Sequence, residues 1–239
     1  MLFNPDRKKA IFHAKRDIAQ IVTDVVNLED INYTVPEVQT LMDGITVGGH
    51  KIQDELITLN QVKAWNFLFL SLDNNQFTLS TEYLFKLHDL VANQEALEHG
   101  KFRSGQVSIS GTNYLPPKAS ELEPIWNELV NKVKLDCIIE QNIKDNNLIN
   151  AKAYQASMYL FAEMARNQFF YDGNKRAARM MMAGILLDLG YPLINVPAAR
   201  KQEFNQLMIN YYEKQNFKEL SQFLISCIPP WLIEEFNNK

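Results

Sequence analysis

The chain has 239 residues, 24 Lys and Arg against 28 Asp and Glu, a formal charge of −4, and 46% hydrophobic residues. That composition supports a sizeable core and excludes a disordered chain; the slight acidity excludes nucleic-acid binding over the whole surface but allows a local basic site. The two cysteines lack metal-ligand spacing, no apolar run reaches the roughly 18 residues of a membrane span, and charges stand where a secretory leader would be apolar, so we expect a cytoplasmic protein.

The predicted elements are almost all helical. Over 6–26, Ile11, Ile18, Ile21, Val22, Val25 and Val26 recur at three-to-four spacing, as one buried helix face requires. A short helix is expected over 36–43, with Pro36 in its first turn and Gly44 as its stop. Residues 52–72 repeat Ile52, Leu56, Leu59, Val62, Trp65, Phe69 and Leu72 and read as a long buried helix. Ser80 opens another that stops near Gly100. Further helices are expected over 118–134, 148–166, 174–189, 198–214 and 217–227, with a last turn at 231–236.

One segment differs. In 102–114, Val107 and Ile109 alternate with Gln106, Ser108 and Ser110 between glycines, and Pro116-Pro117 closes the stretch, which predicts a short β-hairpin. The fold class expected is therefore all-α with one small hairpin. The run Met180-Met181-Met182, the pair Tyr211-Tyr212 and Trp65 read as core. Gly48-Gly49-His50-Lys51 lacks the strand and hydroxyl of a Walker-type loop. Pro229-Pro230-Trp231 reads as a loop packing its Trp.

The chemistry concentrates at 166–179. Arg166, Lys175, Arg176 and Arg179 against Asp172 give +3 in a chain that totals −4. Gly173-Asn174 makes a tight turn into a helix whose first backbone N–H groups and positive dipole end suit an anion. Arg176 and Arg179 are three apart, on one helix face, within reach of one polyphosphate. Asp172 among these cations would suit Mg²⁺ if phosphate oxygens complete the shell. The same spacing also describes an Asp-capped loop with solvated basic residues.

The run from Gln168 to Arg179 resembles the Fic motif, HPFx[DE]GN[GK]RxxR, of the Fic/Doc (Fido) proteins. Residues 102–117 look like the flap hairpin that precedes the motif in that family. The resemblance covers roughly 80–215. It divides the chain into an N-terminal helical extension, 1–75, and a Fic domain with C-terminal helices, 76–239. It implies AMP transfer from ATP to a protein hydroxyl. By match, Gly173, Asn174 and Lys175 would line the anion hole, Arg176 would meet the β-phosphate and Arg179 the γ-phosphate. Asp172 would hold Mg²⁺, and Gln106, Val107, Ser108 and Ile109 of the flap would hold the target by strand addition. ATP, Mg²⁺ and a target protein are thus the ligands expected, with a homodimer as the candidate assembly.

The motif departs at its catalytic base. Gln168 stands where the family has His, and Phe169 where it has Pro. An imidazole accepts a proton near neutral pH, whereas a Gln amide only hydrogen-bonds. Two functions remain open on that ground: a weak or altered adenylyl transferase, and an inactive interaction module with a vestigial pocket. Lys175 occurs in AMP transferases and in the phosphate-transferring Doc branch; Arg179, which that branch lacks, argues against a Doc-like kinase. Many Fic proteins carry an inhibitory helix with [ST]xxxE[GN], whose Glu pairs with the second arginine. The nearest match lies in 36–44, with Gln39 at the Ser/Thr position and Asp43 at the Glu, which leaves two readings open: an inhibitory Asp43–Arg179 pair, and an acid near the end of a short exposed helix.

Overall fold

A computed structural model describes residues 4–141 and 146–237. The chain opens with α1 (Arg7–Arg16) and α2 (Ile18–Asn27), then α3 (Val35–Met42), α4 (Ile52–Asp73) and α5 (Thr81–Val91). An irregular stretch leads to α6 (Leu122–Gln141), α7 (Asn146–Asn167) and α8 (Asn174–Asp188). The chain finishes with α9 (Lys201–Lys214), α10 (Phe217–Ser226) and α11 (Pro230–Asn237).

Local chemistry sets several of these boundaries. Asp6 caps α1 by accepting from the Lys9 N–H at 3.0 Å. The single helix expected over 6–26 breaks at Asp17, whose carboxylate is held by the Arg16 guanidinium at 2.8 and 2.9 Å. Thr34 and Glu37 form a capping box at α3, with Pro36 in the first turn, and Gly44 leaves the helix at φ +80°. Ser80 caps α5, which ends at Val91 rather than near Gly100.

α8 is the axis of the molecule. Ala177, Ala178, all three methionines and Ile185 to Leu187 are buried along it. Gly184 is required there because a Cβ would lie 2.2 Å from the Phe77 ring. α7 packs along its whole length, and α1, α4 and α5 close its other sides. One hydrophobic cluster runs from Ala10 to Phe236, so the 1–75 and 76–239 segments share a core. Trp65, Tyr211 and Tyr212 belong to it, while Trp231 is half-exposed, with the Arg16 guanidinium over its ring. Among the described residues no helix is long and apolar enough to cross a membrane.

The hairpin expected over 102–114 is not formed: no described residue lies in a strand. Val107 and Ile109 are partly buried, Ile109 against the core, and Ser108 and Ser110 are exposed, so the alternation is real, but its backbone has no ladder. Side chains tie the loop instead. The buried Arg103 guanidinium donates to the carbonyls of Gly105 (2.6 Å), Pro117 (2.5 Å) and Gln168 (2.6 Å). Gln106 donates to the Pro116 carbonyl at 2.8 Å. Neither proline can return a backbone donor.

Candidate anion site at the start of α8

Between α7 and α8 the chain makes a turn fixed by apolar anchors on one side and polar bonds on the other. Gln168 leaves α7 at φ +49°. Phe169 and Phe170 are buried; Phe169 meets the edge of Trp126, and Phe170 stacks on His88 with ring centroids 3.6 Å apart. Gly173 adopts φ +71°, a region that strains residues with a side chain, and a Cβ there would lie 3.1 Å from Val91. Asn174 closes the turn on itself, donating to the Phe170 carbonyl (2.8 Å) and accepting from the Phe170 N–H (2.9 Å). The first backbone bond of α8 runs from the Ala177 N–H to the Gly173 carbonyl, at 2.9 Å. The N–H groups before it point out of the helix end.

His88 reaches this turn from α5. Its Nδ1 accepts from the Gly100 N–H at 3.2 Å, so its Nε2 is the donor to the Asp172 carbonyl at 2.9 Å. Burial dominates its pKa and lowers it to about 4, with the Asp172 bond opposing and the Arg176 charge assisting. Both ring nitrogens are engaged, so His88 is no substitute for the missing base.

Gln168 is engaged as well. Its amide nitrogen donates to the Ala165 carbonyl at 2.6 Å, and its amide oxygen accepts from Asn174 at 3.0 Å. The side chain bridges the end of α7 to the turn.

The cations divide. Arg166 faces away from the turn, lying over the Tyr114 ring at 4.0 Å and donating to the Tyr212 carbonyl. Arg176, expected at a phosphate, is buried and donates to both oxygens of Glu95, at 2.7 and 2.6 Å, and to Asp172 at 3.2 Å. Burial disfavours its charge, but Glu95 and then Asp172 outweigh that and raise its pKa. Lys175 pairs with Glu29 at 3.3 Å. Arg179 is also buried, 3.8 Å from Glu29, and its Nε, Nη1 and Nη2 have no hydrogen-bond partner. Burial lowers its pKa, partly offset by Glu29. Five donors on a buried guanidinium are thereby left open in the second turn of α8, behind Glu29 and outside the lining of the cavity at the helix start.

Glu29 lies in the loop after α2, and burial alone would raise its pKa. Lys175, Arg179 and Arg176 together hold it below the ordinary value, as a carboxylate. A cavity of about 80 Å³ lies between it and the 168–176 turn. The pairing expected of Asp43 is therefore made by Glu29; Asp43 ends α3 and accepts from Gln39 at 3.2 Å. A signal for Glu29 was present. Val25 to Asp30 holds Glu in the fifth place of [ST]xxxE[GN], and Asp30 takes φ +63°, the conformation for which Gly or Asn is suited. Glu95 and His88 had no such signal, because they come from a separate element.

The turn thus gathers Gln168, Asp172, Gly173, Asn174, Lys175, Arg176 and, through Glu29, Arg179. The 106–109 loop is joined to it through Arg103, and Ser104 and Tyr171 hydroxyls lie 3.3 Å apart. Asp172 is 57% exposed and accepts from the Gly173 N–H at 2.5 Å. A single exposed carboxylate fits a Mg²⁺ that takes its other oxygens from phosphate and water. Among the described residues no group of three acids, histidines or cysteines forms a metal cluster of its own.

Residues 78–186, which contain both the turn and the loop, match the family model for the Fic/DOC family. This segment is a Fic/DOC family domain. The Protein adenylyltransferase Fic of Drosophila mojavensis is 19% identical over 224 residues, covering 93% of this chain and 42% of that protein. The chain thus spans about two-fifths of the length of that relative. A Fic domain containing signaling protein from Bacteroides thetaiotaomicron superposes with a TM-score of 0.72 at 16% identity, covering 95% of this chain and 87% of the other. For Fic-1 from C. elegans the TM-score is 0.71 at 16% identity, with 93% and 62% covered. Those two structures establish the fold.

Proposed function

We propose that this Fic-domain protein binds ATP with Mg²⁺ at the start of α8 and transfers AMP slowly to a hydroxyl of a protein target. The observation that carries the proposal is Arg179, a buried guanidinium without a hydrogen-bond partner in the second turn of α8, reached from the cavity at the helix start through Glu29. Buried polar groups are nearly always satisfied, so such a group is a standing demand for an anion. Kinship with protein adenylyltransferases makes the triphosphate of ATP the anion of choice.

In this account the γ-phosphate meets Arg179, while Lys175, the Gly173 turn and the backbone N–H of Asn174 line the phosphates, the Gly173 N–H itself being held by Asp172. Asp172 would hold Mg²⁺, which when bound neutralises phosphate charge. Glu29 is the inhibitory carboxylate: it competes with the γ-phosphate for Lys175 and Arg179. The backbone of Gln106, Val107, Ser108 and Ile109, which belongs to no strand, offers an edge along which an extended target segment adds as a strand.

Gln168 sets the rate. Its amide cannot take the proton of the target hydroxyl, and general-base assistance is typically about 10²–10⁴-fold. Labelling with α-labelled ATP, Mg²⁺ and cell extract tests this directly. Gln168→His is expected to label protein targets strongly and the wild type faintly. If neither form labels a protein and neither binds ATP, the proposal fails. The Gln168 amide, bonded at both ends, also favours a second reading, an inactive module that keeps the pocket. ATP binding without labelling in both forms would select it.

A further inference from the structure

Arg103 is a buried cation, 2% exposed, bonded to backbone carbonyls rather than to acids. Its Nε donates to Gln168 at the turn (2.6 Å). Its terminal nitrogens donate to Gly105 (2.6 Å) and Pro117 (2.5 Å), at the two ends of the target loop. None of those three residues lies in a helix, so the bonds do not join one helix to another. The Arg103 N–H adds a backbone bond to the Phe169 carbonyl at 3.0 Å. Ser104 is held by Glu98, which accepts from its N–H at 3.1 Å. Gly105 lies so close to Tyr171 that a Cβ would stand 2.6 Å from the Tyr171 hydroxyl, and Tyr171 lines the cavity at the start of α8.

We infer that Arg103 is a positioning residue that fixes the 105–117 loop, and with it the hydroxyl of a docked target, against the phosphate-binding turn. The inference rests on the proposed transfer of AMP from ATP to a protein target. Its physical basis is the missing ladder. A strand in a sheet is placed by its neighbours, but the 106–109 segment belongs to no strand and takes its position from its ends. A target segment paired along it inherits that position. One planar guanidinium fastens both ends of the loop to the carbonyl of Gln168, the residue that stands in the place of the base. An ammonium has a single nitrogen and cannot serve three carbonyls held in three directions. Burying this charge without an acid costs stability unless its donors are satisfied, and each of its three nitrogens has a carbonyl. Displacing a reacting pair by about 1 Å costs about a hundredfold in rate, so transfer depends on where the loop is held.

The test uses the full chain in its Gln168→His form, with Arg103→Ala and Arg103→Lys added in turn. Its first readout needs no ligand: amide exchange at residues 103 and 104, whose N–H groups are bonded to Phe169 and Glu98. Exchange there is expected to rise about tenfold in both variants, the worth of one hydrogen bond; unchanged exchange refutes the clamp. The second readout compares Mg²⁺–ATP binding by calorimetry with protein labelling from α-labelled ATP in cell extract. Both variants are expected to keep the ATP dissociation constant within about twofold and to lose about a hundredfold in labelling. Ethylguanidinium, which replaces the atoms that Arg103→Ala removes, is expected to restore labelling about tenfold. Ethylammonium, of the same charge, is expected to restore none. A merely structural role would weaken ATP binding and labelling together and answer to neither cation; that result, or undiminished labelling, overturns the inference. If the Gln168→His parent labels no protein, the transfer reading itself falls, and the positioning role with it.

Discussion

Arg176 and Arg179 lie on one face of one helix, both almost wholly out of water, and they sit in opposite surroundings. On the α5 side, Arg176 meets Glu95 and Asp172, and the neighbouring His88 has both ring nitrogens bonded. On the α2 side, Arg179 has a carboxylate 3.8 Å away and the Phe204 ring 5.2 Å below its guanidinium, but no hydrogen bond. Identical side chains thus do different work. A buried cation whose terminal nitrogens are bonded to carboxylates braces the structure, whereas one with open donors sits there at some cost to stability, which is the ground for proposing a ligand at Arg179.

The comparison breaks most sharply on stability. Arg176→Met leaves Glu95 buried without its partner and should cost about 3–5 kcal/mol in urea unfolding. Arg179→Met removes an unsatisfied charge and should stay within about 1 kcal/mol of the wild type, or exceed it. Equal losses would erase the distinction.

A smaller effect should follow pH. With His88 at about 4 in the folded chain against 6.5 unfolded, the unfolded chain binds more protons between those values. Stability is then unaffected above about pH 6.5 and falls as pH drops toward 4, by about 3 kcal/mol in all. Urea midpoints across that window should show a shallower decline in His88→Gln; parallel declines would mean that another group carries the effect.

Much of this arrangement was legible in the sequence, for physical reasons. The extents of α4 and α8 follow from their patterns, and the starts of α3 and α5 from Pro36 and Ser80, but the face of α4 does not: Ile52, expected inside, is exposed, while Thr58, Asn60 and Gln61 are buried. The turn at 168–174 is contiguous, so its own residues sufficed to find it. Alternation at Val107 and Ile109 reported correctly which side faces inward. It could not report that Arg103, rather than a second strand, ties the loop. Glu29, His88 and Glu95 come to the turn from far along the chain, and a side chain's partner across such a distance is a property of packing. Asp43 drew attention by its adjacent Gly44, but the match of equal length at Glu29, with Asp30 in the left-handed conformation, is the one beside Arg179.

On ligand binding, the two arginines should differ in the reverse order to their effects on stability. Arg179→Met should weaken ATP–Mg²⁺ binding about tenfold to a hundredfold, the worth of charge-assisted bonds to one phosphate. Equilibrium dialysis with labelled ATP measures it, and a loss of less than about twofold, within the scatter of neutral contacts, would detach Arg179 from the phosphates.

The smallest expected change bears on the central claim, that Glu29 occupies the place of a phosphate in a site built for one. Calorimetric titration of Mg²⁺–ATP into the wild type and Glu29→Ala tests it most directly. Removing a carboxylate that competes for Lys175 and Arg179 should tighten binding about fivefold to tenfold, as loss of a weak ion pair allows. Unchanged or weaker binding by Glu29→Ala would contradict the account.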